Sequence, residues 1–300
     1  MLKERGIIIH PQECGDYFAS RLEETHLNVL GVHPEGGTAA HASMENCIKM
    51  LETDEWRHFR RRMDKAGIAV EFEMHALSWI LNRSLFDKHK EWFRKNEKGV
   101  RVPEFNCCAS NPDVLDYIRE RSAELARIFH PDTDKYYFWI DDVASASCQC
   151  EKCRALSPSD QALTLYNAIA DGLSSVNPRA KQSYLAYYAT LPVPTNVKKR
   201  DNVFLEFAPL ARDFDVSLFD ESREKNYSQV KTLPALLDFF GRDDAKVLEY
   251  WMDNSLFSGW KKPPKELHFN AKTCEADVNR YKELGFTSIT SFGCFLGEDY

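Results

Sequence analysis

Tyr136-Tyr-Phe-Trp-Ile-Asp-Asp142 decides the reading of this chain: five apolar residues in a row, closed by two carboxylates. A run that is apolar on both faces suits a strand buried from both sides, as in a parallel sheet covered by helices. The flanking sequence supplies those helices. Upstream, Asn111-Pro112-Asp113 offers an N-cap, a proline at the first helical position and an acid in the first turn. Val114, Leu115, Ile118, Leu125 and Ile128 follow at the spacing of one buried face. Downstream, Leu163, Tyr166, Ile169, Leu173 and Val176 repeat that spacing as far as Asn177-Pro178, where proline stops the helix.

Seven further runs of strand type lie outward from this one, at residues 6–10, 28–33, 68–75, 183–188, 203–207, 246–251 and 288–292. Helical stretches separate them, the last over residues 271–284 with Gly285 as its C-cap. Eight strands alternating with helices predict an α/β chain folded as a (β/α)8 TIM barrel, one domain over residues 1–300. Because the chain stops at Tyr300, directly after the eighth strand, the closing helix is expected to be missing or to belong to a longer parent protein.

Composition narrows the class. With 300 residues, 43% hydrophobic and 28% charged, the chain can bury a large core. Its formal net charge of -7 argues against a nucleic-acid partner. The one basic run, from Arg57 to Arg62, falls in a helical pattern with Trp56, Phe59 and Met63 at core spacing, so it reads as a solvated helix face. No stretch approaches the ~20 apolar residues of a membrane span, and no signal-peptide pattern opens the sequence, so the expected location is cytoplasmic.

A barrel of this kind has one functional face, built from the C-terminal ends of its strands. The residues read there are His10, His33 with Glu35, Glu73 with His75, Asp141 with Asp142, Tyr187 with Tyr188, Glu206, Glu249 with Tyr250 and Trp251, and Cys294. Cleavage of a glycosidic bond needs an acid to protonate the leaving oxygen and a second group to stabilise or attack the sugar. Asp142 is the candidate acid, Asp141 its polarising neighbour, and Glu249 or Glu206 the second carboxylate. Mutual repulsion of adjacent aspartates is expected to raise one of their pKa values. His10, His33, His75, Tyr187, Tyr188, Tyr250 and Trp251 are candidate sugar contacts, with Trp260 a further aromatic platform.

Cys148-Gln-Cys150-Glu-Lys-Cys153 places three thiols in six residues beside the candidate acids, and tetrahedral zinc wants a fourth. Cys108 or Cys107 can supply it, as can Cys14 or Cys294; free thiols or a disulfide are the alternatives. A structural zinc is expected here, and no cofactor for catalysis.

The segments Asn106-Cys-Cys-Ala-Ser-Asn-Pro112, Trp139-Ile-Asp-Asp142, the cysteine cluster, and Leu248-Glu-Tyr-Trp251 with Pro263-Pro264 resemble a bacterial family catalogued as domain of unknown function DUF4838. Part of it is grouped with the endo-β-N-acetylglucosaminidases of glycoside hydrolase family 163, and the likeness runs from about residue 5 to 300. The resemblance implies a barrel related to hexosaminidases and α-glucuronidases, with the acid near the end of the fourth strand. In hexosaminidases an Asp-Glu pair orients the substrate acetamide and protonates the leaving group. Here the pair is Asp141-Asp142, without the usual preceding Gly-Gly.

The leading reading is a glycoside hydrolase acting on a glycan, one class being those with N-acetylhexosamine. The alternatives are a carbohydrate-binding barrel without catalysis and a metal-dependent sugar isomerase or epimerase using Glu206, Glu249 and a histidine.

Overall fold

A computed structural model describes residues 2–298. Eight parallel strands form it, β1 (Glu4–Ile9), β2 (Val29–Val32), β3 (Ala69–Met74), β4 (Lys135–Phe138), β5 (Lys181–Ala186), β6 (Val203–Phe207), β7 (Lys246–Glu249) and β8 (Ser288–Phe292). They close in sequence order into a barrel, with β8 hydrogen-bonded to β1 in the register Glu4↔Ser288 through Ile8↔Phe292. The expected (β/α)8 architecture is thus the observed one. Each of the eight expected runs overlaps a strand, although β1, β4 and β5 begin one or two residues earlier than expected and several strands stop short of the rim residues grouped with them. β4 ends at Phe138 and β7 at Glu249, which leaves Asp141, Asp142, Tyr250 and Trp251 in the loops beyond.

Ten α-helices fill the connections: α1 (Asp16–Glu23), α2 (Ala40–Met50), α3 (Asp54–Ala66), α4 (Leu77–Ile80), α5 (Pro112–Ile128), α6 (Pro158–Ser174), α7 (Glu224–Val230), α8 (Leu233–Phe240), α9 (Asn254–Phe257) and α10 (Ala271–Glu283). Local chemistry accounts for their ends. The Asn111 side chain accepts hydrogen bonds from Asp113 N and Val114 N to start α5. Ser157 and Asp160 form a reciprocal capping box at α6. After α10, Gly285 takes φ +96°, the left-handed conformation foreseen for it. No helix among the described residues is long and apolar enough to cross a membrane.

The residues pack as two compact units, one comprising Met1–His33, Lys49–Glu71 and Leu205–Tyr300, the other Pro34–Ile48 and Phe72–Phe204. In the first, α3 buries Trp56, Phe59 and Met63 and turns its arginines to solvent, where Arg62 pairs with Asp16 and Glu23. The basic run is a solvated helix face, as read. The same unit holds charges in its core. Lys246 is fully buried, with its Nζ 3.4 Å from Glu71 and 3.8 Å from Glu206. In the second unit, α5 and α6 lie against one another, and β4 and β5 are covered throughout nearly their whole length.

Candidate functional site

The second unit carries the site around Asp142. Two residues past Ile140, its carboxylate is 35% exposed, enough to meet a ligand. Tyr187, in the loop directly after β5, donates its hydroxyl to Asp142 Oδ1 at 3.2 Å. His75, directly after β3, sets Nε2 4.0 Å from the same oxygen. Its Nδ1 lies 2.7 Å from the Ile140 carbonyl, which can only accept, so Nδ1 carries the hydrogen and Nε2 is the basic nitrogen turned to Asp142. The imidazole also meets Trp139 edge-on, with ring centres 5.1 Å apart. Three strands thus deliver an acid, an imidazole and a phenol to one place.

Gly36 completes the wall. A Cβ added there would lie 2.8 Å from Asp142 Oδ2 and 3.0 Å from His75 Cδ2, so only glycine lets the backbone come this close. The sequence reading passed over this residue, although Glu35-Gly36-Gly37 just beyond β2 signals a backbone under special demand. The backbone N–H of Glu35 donates to Ser43 Oγ at 2.8 Å.

Asp141 is tied down instead. It is buried, ion-paired with Arg83, and accepts from the backbone N–H of Asn106, whose Oδ1 in turn accepts from Asp141 N at 3.0 Å. Phe105 and Asn106 both adopt left-handed backbone, φ 51° and 52°, and Tyr188 beside Tyr187 does so at 46°. Non-glycine residues held there cost of order 1 kcal/mol or more each, and the surrounding bonds must hold them in place. The two aspartates thus differ in setting: Asp141 is buried and bonded to the loop, whereas Asp142 faces outward. Beside them a small recess of about 40 Å³ is lined by His75, Asn106, Asp141, Ser145, Gln161 and Tyr187 among others.

Glu249 and Glu206 require correction. Glu249 is fully buried in the first unit, where its Oε1 takes hydrogen bonds from Arg212 Nη1 at 2.9 Å and from Tyr281 Oη at 2.6 Å. Arg212 also pairs with Asp277 at 2.7 Å. Burial raises the Glu249 pKa to about 7, with Arg212 opposing that rise and Asp277 adding to it. One guanidinium facing two carboxylates keeps a proton in the group most simply by neutralising Glu249. Glu206 is equally sealed, beside Lys246. Neither side chain reaches solvent, where a substrate carboxylate partner must stand. Trp251 is core too: its Nε1 donates to Asp277 Oδ2 at 3.1 Å. Glu73 is fully buried within β3.

The remaining candidates of the first unit form an imidazole and aromatic group. His10 Nδ1 lies 2.9 Å from the His33 carbonyl, His33 meets Phe292 edge-on, and Tyr250 stacks on Phe292 with centroids 5.3 Å apart. All four are buried at 6–8% exposure. Asp253, which the sequence reading did not single out, lies in this unit after β7. Its pKa is raised by burial, against hydrogen bonds from Ser255 and Leu256. Trp260 is 69% exposed.

Cys108, Cys148, Cys150 and Cys153 converge, their four sulfurs all within 4.8 Å of one another. Among the described residues these four are the group of His, Cys, Asp and Glu ligand atoms close enough together to hold a metal. None of the nine cysteines forms a disulfide, and neither Cys107, Cys14 nor Cys294 joins the cluster.

A closed, parallel eight-stranded barrel bearing an outward acid, an imidazole and a phenol beyond its strand ends defines a (β/α)8 barrel protein. The sequence model of the family described as "Domain of unknown function (DUF4838)" matches residues 42–234, and the chain belongs to that family. No curated protein matches it in sequence. Among solved structures, β-galactosidase from the psychrophilic Marinomonas ef1 aligns over 96% of this chain and 53% of its own, with TM-score 0.55 and 11% identity. The α-galactosidase of Thermus thermophilus aligns over 98% and 58%, with TM-score 0.49 and 11% identity. The GH20 catalytic modules of a pneumococcal exo-β-D-N-acetylglucosaminidase align over 99% and 80%, with TM-score 0.49 and 10% identity. The chain spans between half and three fifths of the length of the first two. At such identity the shared property is the barrel.

Proposed function

We propose that this protein is a glycoside hydrolase with Asp142 as general acid. The observation that carries the proposal is the setting of Asp142: a half-exposed carboxylate just beyond β4, held by the Tyr187 hydroxyl and faced by His75 Nε2. As general acid Asp142 delivers a proton to the leaving oxygen, and the Tyr187 hydroxyl fixes the direction of its carboxyl. The names of the structures that share the barrel, two galactosidases and an N-acetylglucosaminidase, support the class. Sealed Glu206 and Glu249 leave the second role to another group. A substrate acetamido group supplies it, which favours an N-acetylhexosamine-containing glycan and needs no cofactor.

The test is turnover of a panel of chromogenic glycosides and free glycans by the wild type and by Asp142→Asn. Removal of a general acid is expected to lower turnover by about 10²–10⁴-fold with the unfolding midpoint unchanged. Equal rates for the two proteins would remove Asp142 from the mechanism. The burial of Glu206 and Glu249 also favours a second reading, carbohydrate binding without hydrolysis. Retention on a glycan array with no released sugar would establish it.

A further inference from the structure

The four converging cysteines come from two loops of the second unit. Cys108 closes the long excursion after β3, and Cys148, Cys150 and Cys153 lie in the loop after β4. Tetrahedral zinc with Zn–S bonds of about 2.3 Å separates its sulfurs by about 3.8 Å. Cys108 Sγ stands 3.7 Å from Cys150 Sγ and 3.9 Å from Cys153 Sγ, the edges of such a tetrahedron and far beyond the ~2 Å of a disulfide. Polar groups surround the sulfurs as they would surround thiolates. Lys95 donates its backbone N–H to Cys148 Sγ at 3.4 Å, Arg101 Nη1 reaches the same sulfur at 3.8 Å, and Ser110 Oγ lies 3.2–3.5 Å from Cys108, Cys150 and Cys153. Four thiolates and one zinc ion carry a net charge of two minus, the charge that these N–H groups and the Arg101 cation offset.

The position of the cluster says what the metal does. Two residues before Cys108, Asn106 exchanges hydrogen bonds with Asp141; between Asp142 and Cys148 only five residues intervene. The same two loops are joined again where Gln149 N donates to the Lys95 carbonyl at 2.8 Å. We propose that Cys108, Cys148, Cys150 and Cys153 bind one zinc ion as a closed tetrathiolate, and that this ion braces the β3 and β4 loops on which Asp141 and Asp142 are held. Binding releases the four thiol protons to solvent and leaves no open coordination position, so the ion is structural. Only the naming of Asp142 as the group so held rests on the hydrolase reading.

The full chain, purified under reducing conditions from zinc-replete cells, is expected to contain one zinc per molecule by elemental mass spectrometry. Cobalt exchanged into the wild type is expected to show the visible d–d bands and near-ultraviolet charge transfer of tetrahedral thiolate. Cys108→Ser and Cys150→Ser are each expected to lose the metal, whereas Cys274→Ser, outside the cluster, keeps it. If either serine variant fails to fold, the cobalt spectrum and the count of thiols shielded from an aromatic disulfide reagent decide the matter on the wild type, with four expected to become reactive on chelation. Hydrogen exchange is expected to quicken about tenfold or more over residues 92–111 and 141–157 when zinc is stripped, and to stay unchanged in α3. Metal-free protein, bound iron in place of zinc, or a disulfide seen by mass would overturn the site. Zinc present with exchange unaltered by its removal would overturn the brace. None of these readouts involves a glycan, so a failed hydrolysis assay leaves them standing.

Discussion

At Gly36 a single missing methyl group shapes the site. Its backbone conformation, φ -85°, is open to any residue, so the demand is spatial: a Cβ would press on the Asp142 carboxylate and the His75 ring. Gly36→Ala is therefore expected to fold normally and to lower turnover on the order of 10²-fold, the cost of displacing a reacting group by about an ångström. Parallel measurement of rate and of unfolding midpoint checks this, and an unaltered rate would show that the contact yields without consequence. Residue by residue, the sequence was most legible where chemistry is local. Asp142, His75 and Tyr187 each directly follow or closely follow an apolar run, and strand ends are where barrels do their work. Glu249 looked identical by that criterion. Its partner Arg212 lies 37 residues earlier, in an irregular stretch without period or motif, so nothing in the one-dimensional pattern showed that the carboxylate would be enclosed.

Among the elements, α5 is the one through which the cysteine loop enters regular structure, four residues after Cys108. Asn111 accepts two of its otherwise unpaired backbone N–H groups. Asn111→Ala is expected to cost about 1 kcal/mol, seen as a lower denaturant midpoint with the slope of the transition unchanged. A shift of zero would mean that water or Pro112 geometry already suffices at this cap. The start of α5 was readable because Asn-Pro-Asp encodes its own hydrogen bonds within four residues; Ser-Pro-x-Asp at α6 carried the same kind of signal and was passed over. The strands were readable as apolar runs, but their last residues were not, since a strand ends where its neighbour's ladder stops. β7 was read through Trp251 and pairs only to Glu249, opposite Ser291 of β8. The cysteine cluster sits between these cases: three ligands are adjacent in sequence, while the fourth, 40 residues upstream of Cys148, had four candidates until the loops were seen together.

For the molecule as a whole, buried ionisable groups govern how stability responds to pH. The Glu249 pKa stands at about 7 in the folded protein against an ordinary value of 4.5. Below that ordinary value the carboxyl is protonated in folded and unfolded chains alike. As pH rises from there, the unfolded chain ionises first and gains on the folded one, so stability falls until pH passes about 7 and then levels off. The loss is roughly 3 kcal/mol from this group. Glu249→Gln is expected to flatten that part of a plot of unfolding midpoint against pH; an unaltered slope would assign it to other acids such as Asp253, which burial shifts in the same direction. Barrel closure has a different consequence. β1 finds one neighbour in β2, about twenty residues on, but its other neighbour is β8, whose register begins at Ser288 opposite Glu4. During synthesis that edge of β1 therefore waits, its N–H and C=O groups unpaired, until Ser288–Phe292 has emerged, more than 280 residues later. A slow final stitch of this kind exposes the nascent polypeptide to aggregation, and shortened forms lacking β8 would keep two sticky borders for good.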